Sequence, residues 1–169
     1  MDNEIKNKLK KIKLLIMDVD GTLTDAAMFY NSQGEFMKRF YTRDGFGIDL
    51  MHKAGLKTAI ITQEYTDIVM TRAKKLKIDK VVMGSTNKAN DLELIAKEYG
   101  LTFDEIAYIG DDLNDIPALK LAGFAAAPND CAEGVLDYID YRTTKNGGNG
   151  AVRELIDMIL KSQDFSLYS

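Results

Sequence analysis

The sequence predicts an α/β fold, a doubly wound parallel sheet. Two patterns predict it. Apolar runs of strand length alternate with helical periodicity, which implies parallel strands joined by right-handed crossovers. Carboxylates, a threonine and a lysine then fall just past the ends of four of those runs, where open α/β sheets bind ligands. Size agrees with a single domain over residues 1–169. The chain has 169 residues, 46% hydrophobic and 28% charged, enough for one sizeable core.

The elements follow in order. "MDNEIKNKLKKIK" is charged throughout and lacks the apolar stretch of a secretory leader. "LLIM" (Leu14–Met17) reads as the first strand. "AAMFY" (Ala26–Tyr30) and "FMKRFY" (Phe36–Tyr41) flank "NSQG" and form a predicted hairpin inserted after it. The second arm alternates apolar and basic residues, as a half-exposed strand does. Gly45–Lys53 is helical, ended by Gly55. "KTAIIT" is a strand, and Thr66–Leu76 a helix with Val69, Ala73 and Leu76 on one face. "KVVM" is a strand. "NKANDLELIAKEYG" spaces Leu92, Ile95, Ala96 and Tyr99 for a helix that Gly100 stops. "TFDE" (Thr102–Glu105) carries a capping-box pattern before the strand "IAYIG". Ile116–Leu121 is a short helix and "FAAA" a strand. "YIDY" reads as a last edge strand. Ala151–Lys161 is a helix facing Val152, Leu155, Ile156 and Ile159 inward. The whole is a Rossmann-like sheet.

Several function classes are disfavoured. A formal net charge of −4 argues against a nucleic-acid partner, which needs a basic face. No apolar run is long enough for a membrane span. The only cysteine, Cys131, permits no internal disulfide, so a cytoplasmic location is expected. No catalytic cysteine signature surrounds it. The only histidine, His52, is expected on a helix surface, which excludes a histidine-rich metal site.

The chemistry lies at the strand ends. "LLIMDVDGTLTD" carries a buried strand into Asp18 and Asp20, two positions apart and so on one face. Like charges that close repel, and desolvation adds to the cost, so a divalent cation is expected. "KTAIIT" ends at Thr62. "GSTNK" places Lys88 at a helix start, against the macrodipole, and that breach of a local rule suggests function. "GDDLND" supplies Asp111, Asp112 and Asp115. Each motif alone suits an ordinary turn or solvated surface. All four in order, each at a strand's carboxyl end, point to a site. Carboxylates would repel a phosphate, and Mg²⁺ would reverse that sign. Asp18 is then a candidate nucleophile and Asp20 a candidate proton donor and acceptor.

These motifs resemble the haloacid dehalogenase superfamily of phosphotransferases. "DVDGT" matches its first motif, Thr62 its second, Lys88 its third and "GDDLND" its fourth. The resemblance implies Mg²⁺ held by the Asp18 carboxylate, the Asp20 backbone carbonyl and Asp111. It implies that Asp112 or Asp115 orients the metal water or Lys88. Thr62, with backbone amides near Val19 and Gln63, would hold phosphoryl oxygens, and Lys88 would neutralise developing charge. Neither gap between motifs is long enough for a cap domain. The hairpin, "YTRDGFGI" and the tail "NGGNGAVREL" are similar to one capless subfamily, the 3-deoxy-D-manno-octulosonate 8-phosphate phosphatases of lipopolysaccharide biosynthesis. That likeness implies a homotetramer assembled by the hairpins. It implies substrate contacts from Arg43 and Asp44, with Glu64 and Arg72 as further substrate-facing candidates. The tail, with Gly147, Gly148 and Gly150 allowing an adaptable path and Lys145 and Arg153 adding charge, is expected to complete a site across subunits.

The second motif departs from the subfamily. It reads "ITQE", and Glu64 replaces a basic residue. Relatives acting on nine-carbon, sialic-type acid phosphates carry glutamate there, so both substrates stay open. Two other classes compete. A signalling receiver domain is disfavoured by motif order. A non-catalytic interaction domain of the same superfamily is disfavoured by intact Asp18, Asp20, Lys88 and Asp111. "GGNGAVR" is no dinucleotide loop, because Arg153 stands at the third glycine position.

Overall fold

The computed structural model describes residues 2–166. Six strands form one parallel sheet: β1 (Leu14–Met17), β4 (Lys57–Ile61), β5 (Lys80–Val82), β6 (Ile106–Ile109), β7 (Phe124–Ala127) and β8 (Tyr141–Arg142). Their spatial order is β5-β4-β1-β6-β7-β8. The chain starts in the middle, winds outward one way, then crosses back over β1 to β6. That reversal opens a crevice at the carboxyl ends of β1, β4 and β6, the place where such sheets bind ligands.

Burial on both faces explains why the strands read as unbroken apolar runs. Leu15 and Met17 join the core on the side of α2 (Thr42–Lys53), α3 (Asp67–Leu76) and α6 (Ala151–Ser162). Leu14 and Ile16 join the core beneath α4 (Lys88–Tyr99) and α5 (Ile116–Leu121). Side chains alternate across a strand, so four consecutive apolar residues serve two layers. Helix ends match their sequence signals. The Thr66 hydroxyl accepts from the Ile68 amide at the start of α3, and Gly100 takes φ 64° to close α4.

Three expectations shift. Charge hid α1 (Asn3–Leu9), which has no broad apolar face and buries only Leu9. The predicted edge strand "YIDY" is instead the end of a 3-10 turn, Glu133–Tyr138, followed by β8. Pairing with β7 begins only at Tyr141, after the Asp140 carboxylate accepts from the Ala125 amide at 2.9 Å. The hairpin forms as an antiparallel pair of β2 (Phe29–Asn31) and β3 (Gly34–Met37), shorter than predicted. Lys38 and Arg39 leave the second arm because each pairs with a carboxylate near β1.

Candidate active site

Asp18 directly follows β1 and its side chain is buried beside Lys88. Lys88 opens α4, and its Nζ donates to Asp18 Oδ1 and Asp115 Oδ1, both at 2.7 Å. A lysine at this helix start is tolerated because two carboxylates receive it. Asp115 is fully buried and collects four donors. Besides Lys88, it accepts from the Tyr108 hydroxyl at 2.6 Å and from the amides of Asp111 and Asp112 at 3.0 and 3.2 Å. The two acidic candidates left open for orienting Lys88 are thereby separated. Asp115 binds the lysine, whereas the Asp112 side chain is exposed and accepts from Leu113, starting a 3-10 turn. Tyr108 escaped sequence reading because it sits among apolar residues of β6. A phenol inside such a strand does need a partner, and that was the available signal.

Burial pushes the Asp18 carboxyl well above the ordinary carboxylate range, with Asp115 adding to it and Lys88 opposing. Asp111 is raised to about 7, chiefly by burial, then by Asp115 and Asp112. Burial works against the Lys88 ammonium, yet Asp18 and Asp115 outweigh it and the group is raised. The site thus concentrates negative charge beyond what one lysine neutralises. Oxygens of Asp18, Asp111 and Asp115 all lie within 4.8 Å of one another. An all-oxygen donor set suits a hard divalent ion such as Mg²⁺.

Backbone geometry makes this crowding possible. Gly21 takes φ 87°, and a Cβ there would stand 2.0 Å from Asp111 Oδ2. Only glycine allows both that turn and that approach. The turn is braced from the tail. The Gly148 amide donates to the Thr22 carbonyl at 3.0 Å. A Cβ at Gly147 would lie 1.8 Å from the Gly21 carbonyl oxygen. This corrects the expectation of an adaptable tail: Gly147 and Gly148 let the tail press against its own chain's Asp20–Asp25 turn.

A cleft of about 230 Å³ opens here, its polar lining including Asp18, Asp20, Thr62, Glu64, Asp111 and Asp112. Asn114 was not predicted. Its amide donates to Gln63 Oε1 at 3.1 Å, joining two strand-end loops. The hairpin adds a cation the sequence did not reveal: Lys38 Nζ contacts Asp20 Oδ1 at 2.6 Å. Arg43, Asp44 and Arg72 do not line this cleft. Arg43 borders a separate cleft with Lys145 and Arg153. Asp44 is buried and accepts from the Arg153 amide at 2.8 Å, capping α6. The Arg72 guanidinium lies 5.4 Å from the centre of the Phe40 ring. His52 is far from the chemistry, bonded to Thr58 at the opposite end of β4. Burial raises the Cys131 thiol, which opposes a nucleophilic role.

The haloacid dehalogenase-like hydrolase family profile matches residues 48–155. The 3-deoxy-D-manno-octulosonate 8-phosphate phosphatase of Haemophilus influenzae is 36% identical over 159 residues, covering 94% of this chain and 88% of that protein. The chain belongs to the haloacid dehalogenase-like hydrolases, in their capless octulosonate-phosphatase branch. Solved structures of that branch agree with the fold. The phosphatase of Moraxella catarrhalis, in complex with magnesium ion, phosphate ion and a KDO molecule, superposes with a TM-score of 0.94 at 43% identity, covering 97% of this chain and 94% of that one. The cobalt-bound form from Haemophilus influenzae gives 0.91 at 37% identity, covering 93% and 92%. Between its first strand and α2 this hydrolase carries only the two-stranded hairpin β2–β3.

Proposed function

We propose that this phosphoric monoester hydrolase releases phosphate from 3-deoxy-D-manno-octulosonate 8-phosphate, with Mg²⁺, through an aspartyl-phosphate on Asp18. The observation that carries it is the buried Asp18 held by Lys88 beside Asp111 and Asp115. Asp18, Asp111 and the Asp20 carbonyl would hold the ion, which when bound draws a phosphate into this acidic cleft. The Asp18 carboxylate attacks phosphorus, and the P–O bond to the sugar breaks. Asp20 gives a proton to the departing oxygen. A water then attacks the aspartyl-phosphate, Asp20 takes its proton, and Asp18 and inorganic phosphate are restored. Thr62 lines the cleft and would hold a transferring oxygen, while Lys88, behind Asp18, supplies positive charge.

The eight-carbon substrate follows from the branch and from the KDO complex of the Moraxella protein. Glu64 favours a second reading, the nine-carbon acid phosphates, because it lines the cleft where the sugar would lie. Substrate contacts from Arg43 and Arg72 belong to the proposed tetramer, since neither lines the cleft of its own chain. A cytoplasmic location accompanies this reading, and no helix among the described residues is long and apolar enough to cross a membrane.

The test is phosphate release from eight- and nine-carbon ketoacid phosphates, with and without Mg²⁺. Turnover should need the ion and should favour the eight-carbon acid. Asp18→Asn should lose activity by several orders of magnitude while remaining folded, as its circular dichroism should show. Near-normal turnover in that variant would sink the covalent route. Preference for the nine-carbon acid would transfer the assignment to the second reading.

A further inference from the structure

We infer that Lys38, delivered by the hairpin, is a positioning residue for proton transfer by Asp20. The inference rests on the reading of Asp20 as the proton-transfer group. Lys38 directly follows β3, and its side chain is fully buried. Its ammonium contacts Asp20 Oδ1 at 2.6 Å and Glu35 Oε1 at 2.7 Å. An unpaired buried lysine would be costly, and both its partners are acidic. Glu35 takes up part of the ammonium charge. Asp20 therefore meets a fixed donor whose charge is already largely balanced.

The arrangement distinguishes the two oxygens of Asp20. Oδ1 is tied to Lys38. Oδ2 is buried without a hydrogen-bond partner among the described residues. A buried oxygen left open is unusual and calls for a reason. Here the clamp supplies it: with Oδ1 held by Lys38, the carboxyl cannot rotate to bring Oδ2 out, so that one contact fixes the orientation of the proton-transfer group. Asp20 lines the cleft, with 27% of its side chain exposed, so the Lys38 contact sets how that carboxyl meets the cleft. Proton transfer depends on heavy-atom distance and alignment, and a loss of alignment lowers turnover rather than affinity.

Glu35 and Lys38 both come from the hairpin segment, outside the strand-end loops that hold the other site residues. The hairpin is thus part of the catalytic machinery by way of one side chain. No signal in "FMKRFY" separates Lys38 from its neighbour Arg39, which turns instead to Asp25 and Asn149.

The test compares Lys38→Met, Lys38→Arg, Asp20→Asn and the Lys38→Met/Asp20→Asn pair on two substrates. One is the sugar-acid phosphate, with a poor leaving group. The other is p-nitrophenyl phosphate, whose leaving group needs little protonation. Lys38→Met should lower kcat on the sugar-acid phosphate by about 10²-fold, with KM nearly unchanged and a much smaller loss on p-nitrophenyl phosphate. Lys38→Arg keeps a charged donor and should recover part of that loss. In the Asp20→Asn background, Lys38→Met should cost nothing more, because the group it positions is gone. Melting curves establish that each variant is folded. Should Lys38→Met fold poorly, Lys38→Gln, which is neutral and shorter and so loses the ion pair to Asp20, supplies the same comparison. Equal losses on both substrates, a change confined to KM, or multiplied losses in the pair would overturn the inference. If Asp20→Asn itself shows no dependence on the leaving group, the reading of Asp20 falls and takes this inference with it. If Asp20→Asn shows it and Lys38→Met does not, only the role of Lys38 is lost.

Discussion

Asp115 supports the site more than it reacts in it. Its oxygens receive Lys88, Tyr108 and two backbone amides, all in a buried setting. Asp115→Ala would strip acceptors from all of them at once. Breaking a buried ion pair by removing one partner typically costs about 3–5 kcal/mol, and denaturant unfolding should show a loss of that size. Asp112→Ala removes an exposed cap on the 3-10 turn and should cost only about 1 kcal/mol. Similar losses for the two would contradict the division of labour between them. Asp44 offers a pH test. Burial raises its carboxyl to about 6, against hydrogen bonds from Arg153 and Gly150. Between about pH 4 and 6 the folded chain therefore holds a proton that the unfolded chain has released. Stability from this group falls as pH rises through that window and then levels off. Asp44→Asn mimics the protonated form and still accepts from Arg153. Its melting temperature should match wild type near pH 4 and exceed it increasingly up to pH 6. A constant difference would show that Asp44 titrates normally.

At the scale of elements, the site is a junction of loops clamped by neighbours distant in sequence. The turn after β1 is held by its own Thr24, by the hairpin through Lys38 and Arg39, and by the tail through Gly147 and Gly148. Gly147→Ala would drive a methyl group into the Gly21 carbonyl, which is backbone and cannot rotate aside. The turn carrying Asp20 must then shift. Both melting temperature and turnover should fall, turnover by about 10²-fold for a displacement near 1 Å. Unchanged kinetics would mean that the tail does not brace the site. Two-layer burial explains why the sheet itself holds still. β1 is covered on one side by α2 and α6 and on the other by α4, so its carboxyl end is a rigid base for Asp18.

The whole molecule leaves its hairpin apolar and uncovered. Tyr30 is 62% exposed and Phe36 54%, with Phe29 and Met37 beside them. Phe29 and Phe36 pack edge to face at 6.5 Å, but a lone two-stranded ribbon is marginal in water. Such a surface suits self-association, in keeping with the proposed homotetramer. Sedimentation should give four times the chain mass. Tyr30→Glu with Phe36→Glu should dissociate it and slow turnover on the sugar-acid phosphate, because a capless monomer leaves its cleft open to water. A monomeric wild type with full activity would exclude an assembled site.

What the sequence determined by itself was everything that repeats or falls in order. Unbroken apolar runs between helical periods specify a sheet buried on both faces, and β1 and β7 can be read to the residue from them, β6 to within one. Asp18, Thr62 and Asp111 were legible because each lies just past a strand end, and Lys88 because it opens the helix that follows one; strand ends of a parallel sheet gather at one rim. What only the tertiary structure decided were pairings between residues far apart in sequence. Nothing local tells Asp115 from Asp112, or Lys38 from Arg39, since nearby residues of like charge differ only in which way the chain turns them. The tail glycines carried the same ambiguity. Their composition suits a flexible strap, and only the approach of the Gly21 carbonyl shows that they are there for want of a side chain.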